Sequence, residues 1–251
     1  MNIELIITYA LLKLKSEVKL LYLSYLWWLI EPVLYIAAFY FVFEILLDRG
    51  GENFISFLLL GTVSFIWLSK TISVASNSIV QAQSIISHIS INAIIFPLVS
   101  ILLVFIKQLP VIVMLVALLV LQGFYPSWHW VNLIPVFVLH LLLIISFSLM
   151  ASILVVLTRD VSLMISPALM FVMFTSGVFF DYRNIDSIYH GIFLSNPFAF
   201  IISSYRDIIL YNENLNYEFT IIFSLIFILM IFIEIIIFNK YKSEFVASVI
   251  K

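Results

Sequence analysis

The chain has 251 residues, 64% of them hydrophobic and only 10% charged, with a formal net charge of −2 and a mean hydropathy of +1.21. Soluble domains carry about 25% charged residues, so this composition excludes a water-soluble globular enzyme and points to a membrane protein with no nucleic-acid partner. Cysteine is absent, which excludes disulfides, thiolate metal sites and a cysteine nucleophile.

At the start of the chain, Ile3, Ile7, Ala10, Leu14, Val18, Leu21 and Tyr25 recur at steps of three and four, while Lys13, Ser16, Glu17 and Lys19 fall elsewhere. This spacing predicts an amphipathic helix over residues 1–26, lying on the cytoplasmic face of the bilayer. A polar extension of the first span is the plainer alternative. The region has an acidic Glu4 and neither a basic start nor a small-residue cleavage site, so no removable signal peptide is expected.

The next stretch, SYLWWLIEPVLYIAAFYFVF, starting at Ser24, interrupts an apolar run with a glutamate and a proline. Trp27 and Trp28 suit the membrane interface. Pro32 suits the first turn of a new helix, where its missing N–H is not needed. Glu31 would then meet the positive end of that helix and stay near water. Together these residues predict a corner between the surface helix and the first span.

A span needs about 20 apolar residues to cross a core of roughly 30 Å. Six runs fit, at residues 32–47, 54–75, 97–121, 132–157, 161–180 and 218–238. The expected fold is all-α, a polytopic membrane protein in which residues 27–251 form one six-span domain with no separate soluble unit. Lys13, Lys15 and Lys19 precede the first span, Arg159 follows the fourth, and Lys240, Lys242 and Lys251 follow the sixth. The opposite loops carry Arg49, Arg183 and Arg206, so both termini are expected in the cytoplasm.

Late in the second span, Lys70 has a stem long enough to reach the headgroups. Residues 84–93 predict a short cytoplasmic helix, either a connector or a lever for a partner. In the third span Lys107, with Gln108 and Pro110, falls near the middle, where an ionisable group should face protein or water. It is a functional group or a structural contact, and Glu44 is a possible partner. Residues 181–211 hold two apolar pieces too short to cross, separated at Asn196-Pro197. They predict outer re-entrant or interfacial helices, the second carrying Tyr205-Arg206-Asp207.

No phosphate-binding loop, zinc-protease helix or serine-hydrolase elbow occurs, and His88, His129, His140 and His190 lie on different segments. No catalytic, cofactor or metal site is therefore expected in this chain. Aromatic residues make up 16% of it. Most suit lipid or interfacial positions, but Tyr35, Phe39, Tyr40 and Phe43 in the first span and Phe171, Phe174, Phe179 and Phe180 in the fifth would suit a path along which sugar rings slide.

Several motifs in order complete the pattern: Tyr25-Leu26-Trp27-Trp28-Leu29-Ile30-Glu31-Pro32, then Phe96-Pro97, Arg159-Asp160, Ser176-Gly177-Val178-Phe179-Phe180, Asn196-Pro197 and Tyr205-Arg206-Asp207. In this order the chain resembles the type 2 permease subunits of bacterial ABC exporters of polysaccharides such as lipid-linked O-antigen, capsule or teichoic acid. The resemblance implies a transport subunit rather than an enzyme, working in the cytoplasmic (inner) membrane as a homodimer. Two copies of a separate ABC ATPase would hold the ATP and magnesium.

It also implies a coupling helix bearing Ile85, Ile86, His88, Ile89, Ile91 and Asn92 against that ATPase, and a path lined by the first and fifth spans. Trp27, Trp28, Glu31, Pro32, Arg159, Asp160, Asn196, Pro197, Arg206 and Asp207 take gating or structural positions. One departure is that Ile86-Ser87-His88-Ile89-Ser90 carries only a histidine where the family often has basic residues. A permease for a smaller drug or glycolipid, an intramembrane transferase and an ion-coupled carrier are the competing readings.

Overall fold

The structure is a computed structural model and describes residues 3–20, 24–46, 53–88, 91–241 and 245. Its elements are α1 (Ile3–Leu20), α2 (Ser24–Tyr40) continued by a π-helical turn (Phe41–Leu46), α3 (Phe54–Ser76), α4 (Ser78–Gln81), α5 (Gln83–Ile86), α6 (Ile95–Leu121), α7 (Leu133–Leu157), α8 (Val161–Thr175), α9 (His190–Leu194), α10 (Pro197–Ile209) and α11 (Tyr217–Lys240). Short 3-10 turns occupy Trp128–Asn132, Tyr182–Asn184 and Ser187–Tyr189. No strand occurs among the described residues.

Four helical stretches among these are long and apolar enough to cross a membrane: Phe54–Ser76, Ile95–Leu121, Trp128–Leu157 and Tyr217–Lys240. Val161–Thr175 is apolar but shorter. In hydrocarbon every backbone polar group must be bonded within the segment, which is why such runs fold as helices.

α3 is the centre of the bundle. Its Ser56, Leu58, Leu59, Gly61, Thr62 and Thr71 are buried on several faces, and α2, α6, α7, α8 and α10 all pack against it. Small residues allow such close approach; the hydroxyls of Thr62 and Thr71 turn back to the carbonyls of Leu58 and Trp67 instead of seeking partners across helices. α11 packs on α7.

Two apolar cores lie along the bundle. One gathers Trp67, Leu139, Phe200 and Phe223 near the α10 end. The other gathers Ile6, Ala10, Ile79, Phe96, Leu149 and Phe238 where α1 meets α4 and α6.

Several boundaries differ from the sequence reading. The second helix begins at Ser24, not at Pro32, and runs unbroken through Glu31 and Pro32 to Tyr40. The corner is thus not at Glu31-Pro32. A proline inside a helix removes one backbone bond, yet here the helix continues through it.

α1 lies beside the first half of α6: the Tyr9 ring meets the Phe96 ring edge-on at 6.3 Å, and Glu17 pairs with Lys107. α8 ends at Thr175 rather than reaching Phe180. Gly177, with φ 70°, takes the left-handed conformation that commonly stops a helix. Residues 84–93 do not form one helix; two single turns, α4 and α5, end at Ile86, and Asn92 leads into α6.

Candidate functional site

A buried arginine ties the hairpin between α8 and α11 to the bundle. Arg206 sits in the last turn of α10 and is 3% exposed. Its Nε and Nη2 donate to the Phe57 carbonyl at 3.2 and 3.0 Å, Nη1 to the Gly177 carbonyl at 2.5 Å, and Nη2 also to the Val178 carbonyl at 2.8 Å. The guanidinium also lies 3.4 Å from the centre of the Phe57 ring.

Arginine suits this position because its planar fork can serve carbonyls from several elements at once. The Gly177 and Val178 carbonyls are available because α8 has ended at Thr175. Gly61 of α3 makes room for the guanidinium, since a Cβ there would collide with it and approach the Val178 carbonyl to 3.0 Å. Arg206 therefore ties α10 to the start of α3 and the end of α8.

The sequence reading placed Arg206 and Asp207 at one gating or structural position, and the structure gives them different partners. Asp207 accepts from Arg183 Nη2 at 2.8 Å, and the same nitrogen donates to Glu213 at 2.6 Å. Arg183 also stacks 3.8 Å above the Tyr211 ring, whose hydroxyl donates to Asp181 at 2.8 Å. Burial pushes the Asp207 carboxyl up to about 6, although Arg183 pulls it back. Burial lowers the Arg183 value, but the surrounding carboxylates, led by Asp207, more than offset that and leave it raised. Asn196 caps α10 by accepting from the Phe198 N–H at 3.0 Å, with Pro197 in the first turn as expected.

At the other side of the bundle, two ion pairs join the N-terminal helices to it. Glu31 of α2 pairs with Lys70 of α3, and Glu17 of α1 pairs with Lys107 of α6. Lys70 therefore does not simply extend to the headgroups, and Glu31 does not cap a new helix. The ion pair of Lys107 is with Glu17, where the sequence had suggested Glu44. Its ammonium also lies 5.7 Å from the Trp28 ring. In a low-dielectric setting a lone ammonium is costly, so pairing explains how Lys107 is tolerated at mid-helix.

Tyr35 is 44% exposed and Tyr40 is half-buried. Phe171 and Phe174 are 71% and 51% exposed, and α8 buries none of its residues. The Phe179 ring lies tilted against Phe174 at 5.4 Å, and the Phe180 ring against Phe193 at 5.6 Å. The side chains of Trp27, Pro32, Phe39, Phe43 and Glu44, and the whole of Ile89, lie outside the described residues.

Of the residues assigned to ATPase coupling, His88 is exposed and Ile85, Ile91 and Asn92 are half-buried. Ile86 is buried against the α1–α6 core, so it supports this surface from behind. Asn92 donates to Asn239 at the end of α11, at 3.1 Å. Arg159 and Asp160 form the turn into α8.

Sequence reasoning missed Arg183, Glu17 and Glu234. Glu234 is 5% exposed within α11, and its Oε2 has no hydrogen-bond partner among the described residues. A lone carboxylate in an apolar span was a readable signal, whereas the pairing of Glu17 and Arg183 depends on distant helices.

A family model described as ABC-2 type transporter matches residues 22–210. The chain is 27% identical over 233 residues to an O-antigen export system permease protein RfbA of Klebsiella pneumoniae, covering 92% of this chain and 90% of that protein. A second Klebsiella pneumoniae protein of that name is 25% identical with the same coverage. One from Myxococcus xanthus is 23% identical over 251 residues, covering 98% and 95% of the two chains. With a family match over most of its length and a bundle of apolar helices to accommodate it, the chain belongs to the ABC-2 type transporter family and is a multi-pass membrane transport subunit.

Proposed function

We propose that this chain is the permease subunit of an ATP-driven exporter of a lipid-linked polysaccharide, of the O-antigen, capsule or teichoic acid class, across the cytoplasmic membrane. The observation that carries this reading is the near full-length similarity to three O-antigen export permeases. The uncovered aromatic face of α8 fits it. A hydrated polymer needs a protein-lined route through hydrocarbon, and one chain leaves Tyr35, Phe171 and Phe174 on open surfaces. Two copies facing each other would enclose them.

In this reading the unit is a homodimer with two copies of an ABC ATPase, which bind ATP and magnesium. Six spans put both termini in the cytoplasm. The turns around Ile85, His88, Ile91 and Asn92 meet the ATPase, whose rotation moves the helices as rigid bodies. The hairpin anchored by Arg206 re-enters the outer leaflet beside the exit.

The test is to deplete this chain in its native cell and fractionate the lipid-linked glycan. Accumulation of finished polymer on the cytoplasmic leaflet, relieved by the wild-type chain, is the expected result. Normal export without it, or transport by the purified chain under an ion gradient with no nucleotide, would overturn the proposal.

A further inference from the structure

A cavity of about 330 Å³ opens between α3, α6 and α7, apart from the aromatic path and the hairpin cluster. Its walls include Leu115 and Val116 of α6, Ile134 and Phe137 of α7, and Trp67 of α3. No lysine, arginine, aspartate or glutamate lines it. The volume is at the lower end of small-molecule sites. At about 30 Å³ for a water-sized group, it accommodates on the order of ten methylene-sized groups.

Its polar groups are few. Gln108 is 8% exposed and lines both this cavity and a smaller one beside Glu31, Lys70 and Lys107. His140, 2% exposed, places Nδ1 3.3 Å from the Tyr205 hydroxyl, and both residues line the cavity. An amide at a cavity wall can both donate to and accept from a hydroxyl placed against it. Val116, Ile134 and Val138 of its wall are 38%, 65% and 49% exposed, and both wall helices, α6 and α7, are long and apolar enough to cross the membrane.

We propose that this cavity binds a neutral single-chain amphiphile from the bilayer, with its hydrocarbon between α6 and α7 and its hydroxyl hydrogen-bonded to Gln108. A charged head group is disfavoured, because the cavity offers no counter-charge and burial of an unpaired ion is costly. A two-chain phospholipid exceeds the volume. The inference does not depend on what the transporter carries.

The test uses the full chain in phosphatidylcholine nanodiscs and a photoreactive dodecanol, with the photoreactive dodecanoate of equal length as the charged control. Labelled peptides are mapped by mass spectrometry. The expected result is labelling by the alcohol concentrated on α6 and α7 around Val116 and Ile134, competed by plain dodecanol and reduced about tenfold, or about 1.4 kcal/mol, with the carboxylate.

Val116→Trp, at the rim, should block the labelling. Gln108→Leu should weaken labelling by the alcohol about fivefold, the loss of one neutral hydrogen bond, while leaving the mouth open; undiminished labelling in that variant would overturn the role given to Gln108. Labelling spread evenly over every lipid-facing helix, failure of plain dodecanol to compete in the wild type, or equal labelling by alcohol and carboxylate would overturn the proposal. The competition arm uses unaltered protein, so a variant that fails to fold does not obscure the answer.

Discussion

Arg206→Met tests whether one buried guanidinium holds the hairpin. The substitution keeps much of the side-chain volume but removes four hydrogen bonds to the carbonyls of Phe57, Gly177 and Val178. Hydrogen bonds from a charged donor contribute about 1.5–3 kcal/mol each, but the cation's own desolvation offsets part of that sum. Breaking such a buried network costs about 3–5 kcal/mol. For a local opening of the hairpin this corresponds to a factor of about 10²–10³ in its equilibrium constant.

Hydrogen exchange of the amides in α10 reads that opening directly. Wild type should protect them, and Arg206→Met should accelerate their exchange by about that factor while α7 and α11 keep theirs. Arg206→Lys should not rescue, because a lysine keeps the buried charge without the planar fork. Gly61→Ala attacks the same contact from α3 by placing a Cβ against the guanidinium. Its effect in an Arg206→Met background should shrink markedly, since residues in one network are not additive. Unchanged α10 exchange in Arg206→Met, or full additivity with Gly61→Ala, would refute the anchor.

Three other tests address the remaining charges. Asp207 has a folded value of about 6 against an ordinary 3.8, so the folded hairpin binds more protons than the unfolded one between those values and this contribution to stability falls as pH rises. Thermal unfolding should show the hairpin gaining about 2–3 kcal/mol from this group on acidification from about pH 7 to 4, and Asp207→Asn should flatten that dependence; an identical profile in the variant would contradict it. Lys107→Met should destabilise the α1–α6 contact by about 1 kcal/mol, because Glu17 is 36% exposed and solvent screens its loss of a partner, and the double variant with Glu17→Gln should recover most of the loss in a mutant cycle followed by thermal unfolding. Glu234→Gln should leave thermal stability unchanged or raised, because its buried Oε2 has no partner to lose among the described residues; a loss above about 2 kcal/mol would mean that an ionised Glu234 has a partner.

Much of the architecture is readable from the residues one at a time. The apolar runs that became α3, α6, α7 and α11 had to be helices long enough to cross, because hydrocarbon leaves a backbone no other partner. Asn196-Pro197 marked the start of α10 through local capping chemistry, and Asp207 and Arg206 stood out as charges on an otherwise apolar piece. The helix ends were less legible. Gly177 could have signalled the stop of α8 at Thr175, but an apolar run continuing to Phe180 concealed it.

Sequence alone determined that this chain spans a membrane as helices, because composition and span length are local properties; its place among transport subunits rests on the resemblance carried by its ordered motifs and on the family match. Only the tertiary structure decided that Glu31 meets Lys70, Glu17 meets Lys107, and Arg206 meets the ends of α3 and α8. Each is a contact between segments far apart in the chain, and the number of possible partners for a charge is settled by which helices pack. The cavity behind Gln108 has the same origin: it is the space left where three helices diverge, and no single stretch of sequence contains it.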